Sequence, residues 1–246
     1  MNREYLKRGY PEAEFGGFSD LDGTVAFYAR VTALLTPDMS LVDFGCGRGA
    51  QAEDTVAYRR NLRTFRGRVR RVIGVDIDGV GMDNPTIDEF RLLAPGGMWP
   101  IESSSVDLVF SDCVVEHLPA PDLFFGEAVR VLRKGGYLCL RTPNVWGYAA
   151  MAARLVPERL HKKVLRHAQP RRLEDDIFPT FYRCNSLAKL NGQLFKYGLD
   201  GIAYGYEAEP SYLNFAAVAY KMGVLIHKFL PGCLRSSIFV FCRKRS

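Results

Sequence analysis

The 246-residue chain lacks several features that would assign it quickly. It has six cysteines, at 46, 113, 139, 184, 233 and 242, but no C-x-x-C pair. Several lie inside apolar, strand-like runs. That argues against a zinc site or a disulfide framework and for reduced thiols in a cytoplasmic protein. No apolar run is long enough to span a bilayer: "YLNFAAVAYKMGVLIHKFL" is broken by Lys221 and His227, and a spanning helix needs roughly 20 mostly apolar residues. The opening "MNREYLKRGYPEAE" mixes both charge signs around no apolar centre, so it does not read as a secretory signal. Internal repeats, low-complexity tracts and nucleic-acid module motifs are absent too.

What is present is an ordinary soluble composition, with 48% hydrophobic and 24% charged residues, in a chain expected to form a single domain over 1–246. The net charge of +6 is concentrated in Arg59–Arg71 and Arg154–Arg172. Such runs suit phosphates or an anionic membrane surface, but solvated helix faces explain them as well.

Apolar runs alternate with helical spacing through the first 145 residues. Strands are expected at 40–45, 71–78, 106–112 and 136–144, with a weaker one at 89–94. Helices are expected at 22–36, across 49–65, and at 120–136 with Gly135–Gly136 as the stop. This rhythm predicts a doubly wound α/β fold with a mostly parallel sheet. After Asn144 it breaks. Residues 145–185 read as a lid or substrate insertion, a helix returns at 185–198, and late strands follow at 201–209 and 236–245. An apolar helical insertion, 211–230, separates the last two.

The chemistry begins at "LVDFGCGRGA". A strand ending in Gly-x-Gly-x-Gly leaves bare backbone that a ligand can approach, beside the positive end of the next helix. In open parallel sheets such sites lie at the carboxyl ends of strands. Gly45, Gly47 and Ala50 satisfy the dinucleotide pattern of a nicotinamide-dependent oxidoreductase. Gly45, Gly47 and Gly49 equally give the turn used for S-adenosylmethionine. Asp43 separates the two, because an anion there repels a pyrophosphate but suits an ammonium and a sulfonium. Asp76, ending the second strand, is placed to accept both ribose hydroxyls.

With "VIGVDID" and "WPIESSSVDLVFSDCVVEHLPAPDLFFGEAVRVLRKGGYLCLRTPN", the chain resembles the class I S-adenosylmethionine-dependent methyltransferases over about residues 25–144. Its closest likeness is to the group that methylates small molecules, lipids and glycans. The resemblance implies a seven-stranded sheet whose last strand is antiparallel. It implies that Asp43, Gly45, Cys46, Gly47 and Gly49 surround the cofactor's methionine part and that Asp76 holds the ribose. Ile77 then packs on the adenine, and Ser111, beside Asp112 and Cys113, lies under the methionine end. Tyr28 and Arg30, on the helix before the first strand, are assigned to the cofactor carboxylate, with a plain surface position as the alternative for Arg30. Related enzymes commonly hold the adenine with an acid after the third strand. "LLAPGGMWPI" has none, which leaves the backbone at Gly97–Met98, or Asp88.

The implied reaction is methyl transfer to a small-molecule, sugar or lipid-linked acceptor, at oxygen, by in-line displacement. A non-catalytic cofactor-binding relative is the further alternative. His117 in "EHLP" is the candidate base, against a reading in which Glu116 and His117 only brace the loop. Asp175, Asp176, Tyr182 and Arg183 are the candidate acceptor contacts, Tyr182 and Arg183 foremost. The competing reading is a helix-entry loop with Phe178 and Phe181 plugging the core. Residues 211–230 suit a peripheral membrane contact, a lid or a dimer interface. No Asn-Pro-Pro-Tyr-like tetrad follows the "VDLVFSD" strand, which disfavours methylation of nucleic-acid bases, and no metal is implied.

Overall fold

The computed structural model describes residues 3–148, 150, 151, 178–210, 213 and 216–245. The sequence assigns seven strands, and all seven form one sheet in the order β3-β2-β1-β4-β5-β7-β6. They are β1 (Ser40–Phe44), β2 (Arg71–Asp76), β3 (Glu89–Leu92), β4 (Val106–Asp112), β5 (Leu132–Pro143), β6 (Leu199–Tyr206) and β7 (Ser237–Lys244). β7 is antiparallel to both of its neighbours, and the other neighbouring pairs are parallel. The chain reverses sheet direction between β1 and β4, the switch point at whose carboxyl ends open α/β sheets bind their ligands.

The helices are α1 (Arg3–Gly9), α2 (Gly23–Ala33), α3 (Ala57–Arg63), α4 (Pro121–Val131), α5 (Leu187–Lys196) and α6 (Ala217–His227). Asp22 caps α2, accepting the Thr24 and Val25 amides at 2.8 and 3.0 Å. α4 starts on Pro121, whose fixed φ suits a first helical position. Gly198, at φ 64°, lets the chain turn out of α5 into β6.

Strand alternation sorts the core into two layers. Val42, Phe44, Ile73, Val75 and Val109 face one way, against Phe124, Phe125 and Ala128 of α4 and Leu190 and Leu194 of α5. Leu41, Val72, Leu108 and Phe110 face the other way, against Phe27, Tyr28 and Val31 of α2 and Leu62 of α3. Each fully buried side chain of this size stabilises the fold by roughly 1.5–3 kcal/mol, so both sheet faces are firmly covered. Asp43 follows the parity of Leu41 and therefore points into the α2–α3 layer.

Three boundaries differ from the sequence expectation. The stretch 49–65 is not one helix: a short 3-10 turn (Ala50–Glu53) precedes α3, which starts only at Ala57. Asp54 makes the break, accepting the Val56 amide at 3.0 Å and clamping Arg59. α4 ends at Val131, and Gly135, at φ 75°, lies in the irregular start of β5 instead of capping a helix. Within 211–230 the α-helix spans only Ala217–His227. It buries Tyr220 beside Leu6 and Tyr10 while leaving Val218, Met222, Leu225 and Ile226 exposed. Most of the expected 145–185 insertion lies outside the described residues. Among those described, no helix is long and apolar enough to cross a membrane and no cluster of metal-binding side chains occurs.

Candidate cofactor site

The glycine turn closes the tip of β1. Gly45, Gly47 and Gly49 adopt φ 76°, 50° and 77°, backbone that side-chain-bearing residues rarely take. A Cβ on Gly45 would strike the Val114 side chain, and one on Gly49 the Asn84 amide, whereas one on Gly47 would meet nothing within 4 Å. The open side of the turn is therefore at Gly47. The turn is held by side chains rather than by a helix end. Asp76 Oδ2 accepts the Gly47 amide at 2.8 Å, and Asn84 Nδ2 donates to the carbonyls of Cys46 and Gly47 at 2.9 and 3.1 Å. The expected helix dipole beside the turn is absent, because α3 begins seven positions after Ala50. Asn84 is a supporting residue that sequence reasoning missed; no motif marks it.

Asp43 is 8% exposed. Burial, and then the nearby Asp112 charge, push its carboxyl up to about 7, against a partial counter-effect from Arg63. Among the described residues, no donor makes a hydrogen bond to it. Asp112, two positions beyond Asp43's partner Phe110 on β4, is in the opposite state. Arg141 of β5 grips it in a fork at 2.6 and 2.5 Å, and Tyr28 donates its hydroxyl at 3.1 Å. Burial raises the Asp112 carboxyl, but Arg141 outweighs this and holds it below the usual range. Arg141 also reaches Thr24 at 2.9 Å, tying β5 to the start of α2.

The remaining assigned residues separate into those facing the crevice and those turned away. Ile77 and Met98 are exposed, at 53% and 71%, as apolar covers for a flat ring need to be. Cys46 is turned inward against Gly74, and burial pushes its thiol up, so it offers the crevice only its place in the turn. Ser111 is fully buried and spends its hydroxyl on the Phe44 carbonyl at 2.9 Å, bracing β4 to β1. Tyr28, expected at the cofactor carboxylate, is instead buried and donates its hydroxyl to Asp112. Arg30 is misplaced by the sequence reading: it donates to the Ala26 carbonyl at 2.8 Å and lies with Tyr137, Ile202 and Tyr204 on the β6–β7 side. Asp88 is corrected too. It sits at the start of β3, accepting the Val72 amide at 2.8 Å and Arg66 at 3.2 Å, away from the carboxyl ends.

In the loop after β4, His117 Nδ1 lies 2.8 Å from the Pro179 carbonyl and the ring stands edge-on to Phe178. The Phe181 and Tyr182 amides both donate to the Glu116 carbonyl, at 2.8 and 3.1 Å. The Glu116 side chain accepts from Thr142 at 2.9 Å, and Asn185 donates to Thr142 at 2.6 Å. The "EHL" loop and residues 178–185 are thus one braced unit. Tyr182 is half-buried at φ 49°, and Arg183 is exposed with its carbonyl accepting from Lys189 at 2.9 Å. Phe178 and Phe181 do not plug the core, being 38% and 45% exposed. Asp175 and Asp176 lie outside the described residues.

An uncommitted buried carboxylate, an open glycine and two exposed apolar side chains suit a cationic nucleoside, and together with the strand order they define a methyltransferase-type Rossmann-like domain. Two family models described as methyltransferase domains match residues 42–140 and 94–196. A protein of Mycolicibacterium smegmatis named as a probable S-adenosylmethionine-dependent methyltransferase is 34% identical over 112 residues, 42% of this chain and 38% of its own length. The chain thus spans well under half of the curated relative it matches. In fold it is similar to a chain solved in complex with the Haloferax volcanii Trm112 methyltransferase activator (TM-score 0.59, 15% identity, covering 100% of this chain and 98% of that one). It is also similar to a methyltransferase from Archaeoglobus fulgidus (TM-score 0.56, 14% identity, covering 95% and 97%). Over residues 42–196 the chain thus matches methyltransferase domains, and with the Mycolicibacterium smegmatis relative these matches support a class I S-adenosylmethionine-dependent methyltransferase with S-adenosylmethionine as its cofactor.

Proposed function

We propose that this protein, in the cytoplasm, transfers a methyl group from S-adenosylmethionine to a hydroxyl oxygen of a small-molecule, sugar or lipid-linked acceptor. The observation that carries this reading is Asp43, buried, without a hydrogen bond among the described residues, and set at the tip of β1 beside the open side of the turn. A buried carboxylate without a partner is costly, and an ammonium or sulfonium offsets that cost. Asp76, already oriented by the Gly47 amide, would hold the ribose, and Ile77 and Met98 would cover the adenine. Bound S-adenosylmethionine supplies an activated methyl group. The chain's share is then alignment and exclusion of water, which together can supply roughly 7–11 kcal/mol of the barrier.

In this reading His117, whose ring is held by the Pro179 carbonyl and Phe178, takes the acceptor's proton. The exposed Phe178 and Phe181 beside it, with Tyr182 and Arg183, favour a ring-shaped polar acceptor. The exposed apolar side of α6, with Lys221 and Lys228 on the same helix and its end, favours a lipid-linked member of that range and a peripheral membrane contact. Titration calorimetry with S-adenosylhomocysteine and with NADH tests the cofactor side. Product mass in a panel of phenolic, glycosidic and lipid-linked alcohols tests the acceptor side. NADH binding without S-adenosylhomocysteine binding overturns the first, and methyl transfer confined to amines or carbons overturns the second.

A further inference from the structure

The loop that leaves β5 is braced by one residue. Asn144, the first position after the strand, is fully buried and engages every polar atom it has. Its amide donates to the Ser236 carbonyl at 2.9 Å, and its side-chain nitrogen to the Cys233 and Arg235 carbonyls, each at 2.8 Å. Its side-chain oxygen accepts the Trp146 amide at 3.1 Å, and its carbonyl accepts the Gly147 amide at 2.9 Å. A Cβ on Gly147 would stand 2.7 Å from Ser236 Cα, so the turn packs directly on the approach to β7. The Val145 amide donates to the Asn185 carbonyl at 2.8 Å, which joins this loop to the unit formed by the "EHL" loop and residues 178–185.

On this frame the Trp146 side chain is 52% exposed, whereas the chain's other tryptophan, Trp99, is buried and stacked on Phe44. Single exposed apolar side chains are ordinary. Trp146 differs in that its backbone is fixed from below by a buried asparagine, and in that the same frame holds two further exposed rings, Phe178 and Phe181. Its place matters as well. β5 pairs with β4 on the side away from β1, with Arg141 opposite Asp112. The inference rests on the methyl-donor reading above: with the donor at the tips of β1 and β2, which carry the glycine turn and Asp76, the rim beyond β4 is left to the acceptor. We infer that the Trp146 indole is the face on which a ring of the methyl acceptor stacks, so that this residue selects ring-bearing acceptors over open-chain ones. An indole offers a broad, rigid plane with few torsions to freeze. Sugar and aryl rings both present a complementary face, and the experiment separates them.

The test reads Trp146 itself. In Trp99→Phe the tryptophan emission comes from Trp146 alone; should that core variant not fold, the wild-type spectrum minus that of Trp146→Phe gives the same signal. The protein, saturated with S-adenosylhomocysteine, is titrated with methyl β-glucoside, phenol, 1-hexanol and phosphatidylglycerol vesicles. At least one of the two ring compounds should change the emission saturably, and hexanol and vesicles should not; the ring that acts identifies the acceptor as sugar or aryl. By calorimetry, Trp146→Ala should weaken that ring about 3–10-fold, the range of one aromatic contact, with S-adenosylhomocysteine within about twofold. Trp146→Phe should recover most of the loss. Silence with both rings, an equal response to hexanol, or a response to vesicles alone would overturn the inference, the last by showing a membrane-facing tryptophan. So would equal losses of ring and S-adenosylhomocysteine in Trp146→Ala at unchanged melting temperature, which mark a merely structural role. Wild-type protein that does not bind S-adenosylhomocysteine would instead overturn the methyl-donor reading.

Discussion

Asp112 with Arg141 and Asp43 with Arg63 are two acid–base sets a few residues apart on one face of the sheet, and they are built oppositely. The first is closed: a bidentate fork, a tyrosine hydroxyl and a threonine complete it. The second is open: among the described residues, neither its acid nor its base makes a hydrogen bond. A closed set holds β4, β5 and α2 together, and an open one carries desolvation cost until something enters. The same residue types thus form a closed framework in one place and stand open in the other, and the count of hydrogen bonds tells them apart.

Breaking the closed set should have the largest effect. Arg141→Met leaves Asp112 buried and uncompensated, and should cost about 3–5 kcal/mol in denaturant unfolding; a loss under about 1 kcal/mol would mean the pair is not structural. In the open set, Asp43→Asn should leave the fold equally or more stable, since a buried charge disappears, while weakening S-adenosylmethionine by about 10–100-fold. Simultaneous loss of stability and affinity would erase the distinction between the two sets.

A pH series sharpens it further. Asp43 must be ionised to hold the ammonium, so affinity should fall by about tenfold per pH unit below its value of about 7. Its folded value lies above the ordinary aspartate value of about 3.9. The ligand-free fold therefore carries the full cost of this charge above pH 7 and is progressively relieved of it toward pH 4. Affinity and stability should move in opposite directions across that window, and Asp43→Asn should flatten the affinity slope. The smallest effect belongs to Arg30→Met, on the far side of α2, which should change cofactor affinity by less than about twofold and stability by less than about 0.5 kcal/mol.

The error at Arg30 shows where sequence reading gives out. Residues two apart on an α-helix point about 200° apart, so once Tyr28 faces the core Arg30 must face away. Each suits the site alone, but one helix cannot present both. Arg63 was hidden for a related reason: in the run "RRNLRTFRGRVRR" every arginine looks like a solvated charge, and only α3's packing selects one. The Asp112–Arg141 pair depends on the β4–β5 register, which no local pattern reveals. By contrast β4 was legible to the residue, because a continuous apolar run between turn signals leaves a buried strand little freedom. The glycine turn was legible as well, although its expected helix dipole was not there and Asn84, outside any motif, took over the support.

Returning to the turn, its three glycines answer to different masters. At 45 and 49 the chain itself forbids a side chain, since Val114 and Asn84 occupy the space. At 47 the neighbourhood is vacant and only backbone torsion objects. Position 47 is thus where tolerance by the fold and tolerance by the guest part company, and a methyl group added there is the smallest change that separates the two.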